Sequence, residues 1–155
     1  MQWVFTAFLI VSIFHMGEEY FYPGGFMDFM KRLNPGFAPL VTVPMAVIIN
    51  GLQLVLCVVA MWVGRTFPIF SMSVAGLLFI NGLTHMLGCV KVKGYVPGVI
   101  TGLLLYLPIS IYAYYLLITS GQLTLNGVLI TGLLGLLFQA VPISYFGLTS
   151  TFKRA

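Results

Sequence analysis

Two histidines and three acidic side chains are all that 155 residues contain. Four of these five fall in two short groups, His15-Met-Gly-Glu18-Glu19 and Asn81-Gly-Leu-Thr-His85. On a helix, positions three and four apart share a face, so His15, Glu18 and Glu19 project together, with Tyr22 a turn further on. Asn81, Thr84 and His85 do the same on another helix. Imidazole with carboxylate is a donor set for zinc, iron or manganese, and a divalent ion would neutralise both glutamates. In that reading His15, His85 and one or both of Glu18 and Glu19 are metal ligands, and Asn81 and Thr84 orient His85 by hydrogen bonds. Without a metal the same four residues form an acid–base centre. The least specific reading is a hydrogen-bonded network that locks two helices together. The residues alone leave all three open.

A third group, Tyr95-Val-Pro97-Gly98-Val-Ile-Thr101, opens a further helix, with Pro97 suited to its first turn. The amides and the positive dipole end there would welcome an anion, and Lys91 and Lys93 lie close in the chain. The same lysines also serve as ordinary topology anchors. Gly98 and Gly102 make a small-xxx-small pattern that predicts close helix packing. At a rise of about 1.5 Å per residue, His15 lies about 10 Å inside Tyr22, His85 about 9 Å inside Lys91, and Thr101 about 9 Å inside Tyr95. Three helices therefore offer polar groups to one layer.

The elements that must carry this layer are set by composition. Hydrophobic residues make up 60% of the chain and charged ones 6%, far from the roughly 25% charged of a soluble domain. Apolar runs predict an all-α, polytopic membrane bundle of about five transmembrane helices, near 3–22, 40–63, 67–90, 95–118 and 125–148. Each has the roughly 20 residues needed to cross about 30 Å of hydrocarbon. Short polar connections leave room for one integral membrane domain over 1–155. Pro23-Gly24-Gly25 ends the first helix, and a connection with Asp28, Lys31, Arg32 and Asn34-Pro35-Gly36 leads to the second. The first segment lacks a basic leader and a small-residue cleavage site, and is expected to be retained.

With five spans, Lys31, Arg32, Lys91, Lys93, Lys153 and Arg154 share one side, and Arg65 alone holds the other. This predicts an N-out, C-in arrangement. The net charge of +4 thus reports topology, and membrane lipid rather than nucleic acid is the expected partner. Cys57 and Cys89 lack the spacing of a zinc knuckle or disulfide framework and are read as packing residues. Asn50, Gln53, Gln139 and Ser144 are expected to hydrogen-bond between helices or near Pro142. The many Phe, Tyr and Met residues are assigned to packing and lipid contact. No Lys or Arg lies within a span to pair with the glutamates, so the histidines, a metal or retained protons must compensate them.

The order and spacing of His15-Met-Gly-Glu18-Glu19, Asn81-x-x-x-His85 and Tyr95-x-Pro97-Gly98-x-x-Thr101 resemble the HXXEE-motif family of small, mostly bacterial membrane proteins. The resemblance runs from the first helix into the fourth. It implies a polytopic membrane protein and singles out these residues, but supplies no reaction; the bacterial inner membrane is the expected location. The architecture alone is also similar to emopamil-binding-type sterol isomerases, without a shared motif, which keeps acid–base isomerisation of a lipid in view. The favoured expectation is a membrane-embedded enzyme acting on a lipid-soluble substrate, with a His/Glu metal or acid–base centre near the cytoplasmic leaflet. The alternative is a transport or binding protein that handles protons or cations through the same layer.

Overall fold

A computed structural model of the chain describes residues 1–22, 25–33, 35–37 and 42–152, without the side chains of 37, 142, 143 and 145–152. Every regular element among these residues is helical. Helix α1, Trp3–Phe21, ends where Tyr22 turns extended, the conformation favoured ahead of a proline. Helix α2, Gly25–Leu33, replaces part of the connection expected from sequence. Its charged residues Asp28, Lys31 and Arg32 are exposed, while Phe29 and Met30 are buried against Val96. The apolar spacing of Phe26, Phe29, Met30 and Leu33 is helical, so the segment folds once it has a surface on which to lay that face.

Helix α3, Val43–Val63, is followed by a 3-10 turn, Gly64–Thr66, in which Gly64 takes φ +44°. Helix α4, Pro68–Val92, is the central element: it contacts α1, α2, α3 and both later helices. Its run Ser71–Leu78 is buried throughout. Helix α5 spans Val99–Thr119 and contains a π-helical stretch, Gly102–Tyr106. Helix α6, Leu125–Phe152, has α4 as its most extensive neighbour.

Four helices, α1, α3 (with its 3-10 turn), α4 and α5, are long and apolar enough to cross a membrane, and the described side chains of α6 continue this character over Leu125–Val141. Large apolar residues such as Phe21, Trp62, Leu125 and Val141 face outward, where a soluble protein would place charge. Composition and helix length together support an integral membrane protein. Lys153 and Arg154, counted above in the topology, lie outside the described residues.

Beside a buried apolar core that includes Phe5, Phe8, Met72, Leu78 and Leu117, packing between helices relies on missing side chains at the crossings. At the α4–α6 crossing a Cβ on Gly76 would stand 2.7 Å from the carbonyl oxygen of Thr131, and a Cβ on Gly135 would meet the backbone of Gly76 and Leu77. At the α4–α5 crossing a Cβ on Gly82 would stand 3.0 Å from the carbonyl oxygen of Gly102. Small residues let helix backbones approach closely where lipid supplies no hydrophobic drive for association. Polar residues supplement this. Asn50 Nδ2 donates to the Tyr20 hydroxyl at 2.8 Å, Gln53 Nε2 to the Tyr106 hydroxyl at 2.6 Å, and Asn81 Nδ2 to Gln139 Oε1 at 3.4 Å. Ser144 Oγ donates within its own helix to the Ala140 carbonyl at 2.6 Å.

The start of the fourth expected span shifts. Helix α5 begins at Val99, not near Tyr95, because Gly98 at φ +92° breaks the helical path before it starts. Gly98 therefore precedes the helix instead of sharing a packing face with Gly102, and the small-xxx-small reading holds for Gly102 alone.

Candidate metal or acid–base centre

Helix α1 delivers His15 and Glu19 one turn apart, and α4 delivers His85 against them. His85 Nε2 lies 3.2 Å from Glu19 Oε1, and His15 Nε2 lies 3.6 Å from the same oxygen. All three side chains are buried, with His15 1% and Glu19 3% exposed. The histidine rings meet edge to face, with centroids 4.8 Å apart. One potential ligand atom from each of His15, Glu19 and His85 falls within a group no wider than 4.8 Å.

His15 Nε2 has no hydrogen-bond partner, since 3.6 Å exceeds hydrogen-bonding distance, and it is fully enclosed. A buried nitrogen without a partner is costly and calls for an occupant. Ligand atoms placed tetrahedrally at about 2.0–2.1 Å from a zinc ion stand about 3.3 Å apart. The two measured separations from Glu19 Oε1, 3.2 and 3.6 Å, bracket that spacing, while the whole group, up to 4.8 Å across, would have to draw in around an ion. The donor set of two imidazoles and a carboxylate also matches sites for iron and manganese.

Glu18 faces elsewhere. Its Oε2 accepts from the Thr101 amide at 2.7 Å and the Thr101 hydroxyl at 2.6 Å. Its Oε1 accepts from the Ile100 amide at 3.1 Å and from the Tyr95 hydroxyl. The amides at the start of α5 therefore hold an anion, as their position predicts, but it is the protein's own carboxylate. Lys91 and Lys93 remain exposed, and Lys93 ends α4 in a left-handed conformation at φ 51°. Thr101 links the two glutamate environments, because its Oγ1 also lies 2.8 Å from His15 Nδ1.

Tyr95, Gly98 and Thr101 thus reach the site, and Pro97 is buried in the turn between them. A Cβ on Gly98 would come within 2.6 Å of His85 Cε1 and 2.8 Å of His15 Cε1, so only glycine lets this turn close over both rings. Asn81 and Thr84 are placed differently from expectation. Thr84 Oγ1 donates to the Asn81 carbonyl, Asn81 reaches Gln139, and neither hydrogen-bonds His85, whose Nδ1 is buried without a partner.

Two contacts went unforeseen. Tyr106, assigned with the other aromatics to packing or lipid, is fully buried with its ring 4.3 Å from that of His15. Residues 101 and 106 would diverge on an α-helix. A π turn closes residue i on i+5, and the Leu107 amide bonds to the Gly102 carbonyl in that pattern, so both Thr101 and Tyr106 meet His15. Phe29 of α2 lies 6.4 Å from His85, ring centre to ring centre. Its helical spacing was the available signal; nothing in the sequence marks the π turn.

These features define a class: an all-helical, membrane-type bundle with a buried two-histidine, one-carboxylate cluster at one end. The chain belongs to the family described as proteins of unknown function with an HXXEE motif, whose model matches residues 6–113. Comparison with curated proteins and with solved structures gave no match.

Proposed function

We propose that this protein is a membrane-embedded, metal-dependent enzyme acting on a lipid-soluble substrate. The observation that carries the reading is the enclosed, unpartnered Nε2 of His15 beside Glu19 and His85. These three residues hold a divalent ion, leaving coordination positions for water or substrate. Bound zinc would lower the pKa of that water and support hydrolysis; iron with oxygen would support oxidation. Placement of Lys31, Arg32, Lys91 and Lys93 against Arg65 supports an N-out, C-in chain with the centre near the cytoplasmic leaflet of a bacterial inner membrane.

Elemental mass spectrometry of the detergent-purified protein, beside His15→Ala and His85→Ala with folding checked in parallel, tests the proposal. Near-stoichiometric zinc, iron or manganese in wild type and its loss from folded variants is the expected result. Wild-type protein that takes up no metal, even on reconstitution, overturns it. That outcome would favour the metal-free reading, for which the 3.2 Å contact between His85 and Glu19 is the supporting observation. There the pair transfers protons, either in isomerising a lipid or in a proton- or cation-handling transport role.

A further inference from the structure

We infer that Glu18 and Thr101 form a positioning relay that fixes the ring tautomer of His15 and so makes its Nε2 a ligand. The inference deepens the metal reading above and rests on it for its functional consequence, though not for its structural content.

The argument is a count of hydrogens. The Thr101 hydroxyl carries one, and three groups surround its oxygen: Glu18 Oε2 at 2.6 Å, His15 Nδ1 at 2.8 Å and the Gly98 carbonyl at 3.4 Å. Glu18 already accepts from two backbone amides and the Tyr95 hydroxyl, the environment of an ionised carboxylate, which can only accept. If the threonine hydrogen pointed at His15, two acceptor oxygens would face each other at 2.6 Å. A hydrogen directed at the Gly98 carbonyl would leave the same clash, so the hydroxyl donates to Glu18 and His15 Nδ1 must supply the remaining hydrogen. A neutral His15 with Nδ1–H has its lone pair on Nε2, the atom directed at Glu19 and lacking a partner.

Metal-binding histidines are commonly oriented by a hydrogen bond from the ring nitrogen that is not the ligand. Here that partner is a hydroxyl, itself set by a carboxylate that two amides hold in place. The two adjacent glutamates of the motif then have separate tasks: Glu19 stands among the ligands, and Glu18 acts on His15 through Thr101. Neither Glu18 nor Thr101 need touch the ion.

The test combines ring nitrogen-15 chemical shifts of histidine-labelled, metal-free protein with zinc affinity, for wild type, Thr101→Val and Thr101→Ser. The chain has only two histidines, and His85→Gln assigns the signals. The expected result is an Nδ1–H tautomer for His15 in wild type, a shift toward Nε2–H in Thr101→Val, and a fall in zinc affinity of about 10–100-fold. Thr101→Ser restores both. Thr101→Val that keeps the wild-type tautomer, or wild type already in the Nε2–H form, overturns the relay whatever the metal does. If wild type binds no zinc while its tautomer still depends on Thr101, the relay stands and the metal reading fails.

Discussion

Glu18 and Glu19 are consecutive in the chain, yet their carboxylates serve different helices: Glu19 meets His85 of α4 at 3.2 Å, and Glu18 accepts the Thr101 amide of α5 at 2.7 Å. Successive residues on an α-helix are rotated by about 100°, which suffices to divide them between two neighbours. One turn of α1 thereby ties its end to both helices that complete the site.

This division predicts different phenotypes for two isosteric changes: loss of the metal in one, and loss of stability with weakened rather than abolished metal affinity in the other. Glu19→Gln removes a ligand and is expected to abolish metal binding with little loss of fold. Glu18→Gln replaces an acceptor-only group with one that also donates, against two amides and two hydroxyls. It is expected to lower stability by about 1.5–3 kcal/mol. Metal content and unfolding in mixed detergent micelles would separate the two; equal effects on both readouts would contradict the division.

Gly98→Ala is expected to be among the more damaging single-methyl additions. The left-handed conformation costs an alanine about 1–2 kcal/mol, and the new methyl would displace both imidazole rings. Gly51→Ala, where a Cβ meets nothing within 4 Å, serves as the control and should be neutral or stabilising by up to about 1 kcal/mol. Metal affinity should fall only in the first variant.

The α4–α6 crossing should be as intolerant without involving chemistry. Gly76→Ala drives a methyl against the Thr131 backbone and is expected to cost about 1–3 kcal/mol as helices part. Because Gly76 lies nine positions before His85, about 13 Å along α4, the folded fraction should retain wild-type metal affinity. A variant that folds normally but loses metal would show that the crossing and the site are coupled.

Tyr106→Phe keeps a ring beside His15 but gives up the bond from Gln53 Nε2. A loss of about 1–3 kcal/mol in stability is expected from the buried amide left unpaired. Zinc affinity should stay close to wild type, as measured by competition with a chromophoric chelator; a tenfold loss would make the hydroxyl part of the centre.

Alkaline pH should weaken the end of the bundle through Tyr95. Burial first, and then its hydrogen bond to Glu18, raises the Tyr95 phenol above its ordinary value of 10.0. The unfolded chain releases that proton near pH 10 while the folded one retains it, so stability falls as pH rises from about 10 toward the raised value. Tyr95→Phe should flatten this decline. Identical pH profiles above pH 10 would count against the bond's role.

Much of the layer was readable because few residues could belong to it. His15, Glu19, His85 and Thr101 lie on helices whose depth follows from a fixed rise per residue, and the structure brings them into one cluster. Asn81 and Thr84 share the helix face of His85 by spacing, but a hydroxyl can bond its own backbone, and Asn81 found Gln139 instead. The anion expected at the start of α5 came from Glu18, which spacing alone had grouped with the ligands. Charge and position foretold the interaction, while its source depended on which helix packed there.

Composition and local pattern determined that the chain is helical, where most spans run, and which polar residues share a depth, because apolar length and helical rise act within a segment. Tertiary structure decided how each helix is rotated about its axis. It set Glu18 on α5 and Glu19 on the histidines, allowed Gly98 to close over both rings, and through the π turn brought Tyr106 beside His15. Those outcomes depend on backbone approach between distant segments and on a departure from α-helical spacing, neither of which is written in the periodicity of any one segment.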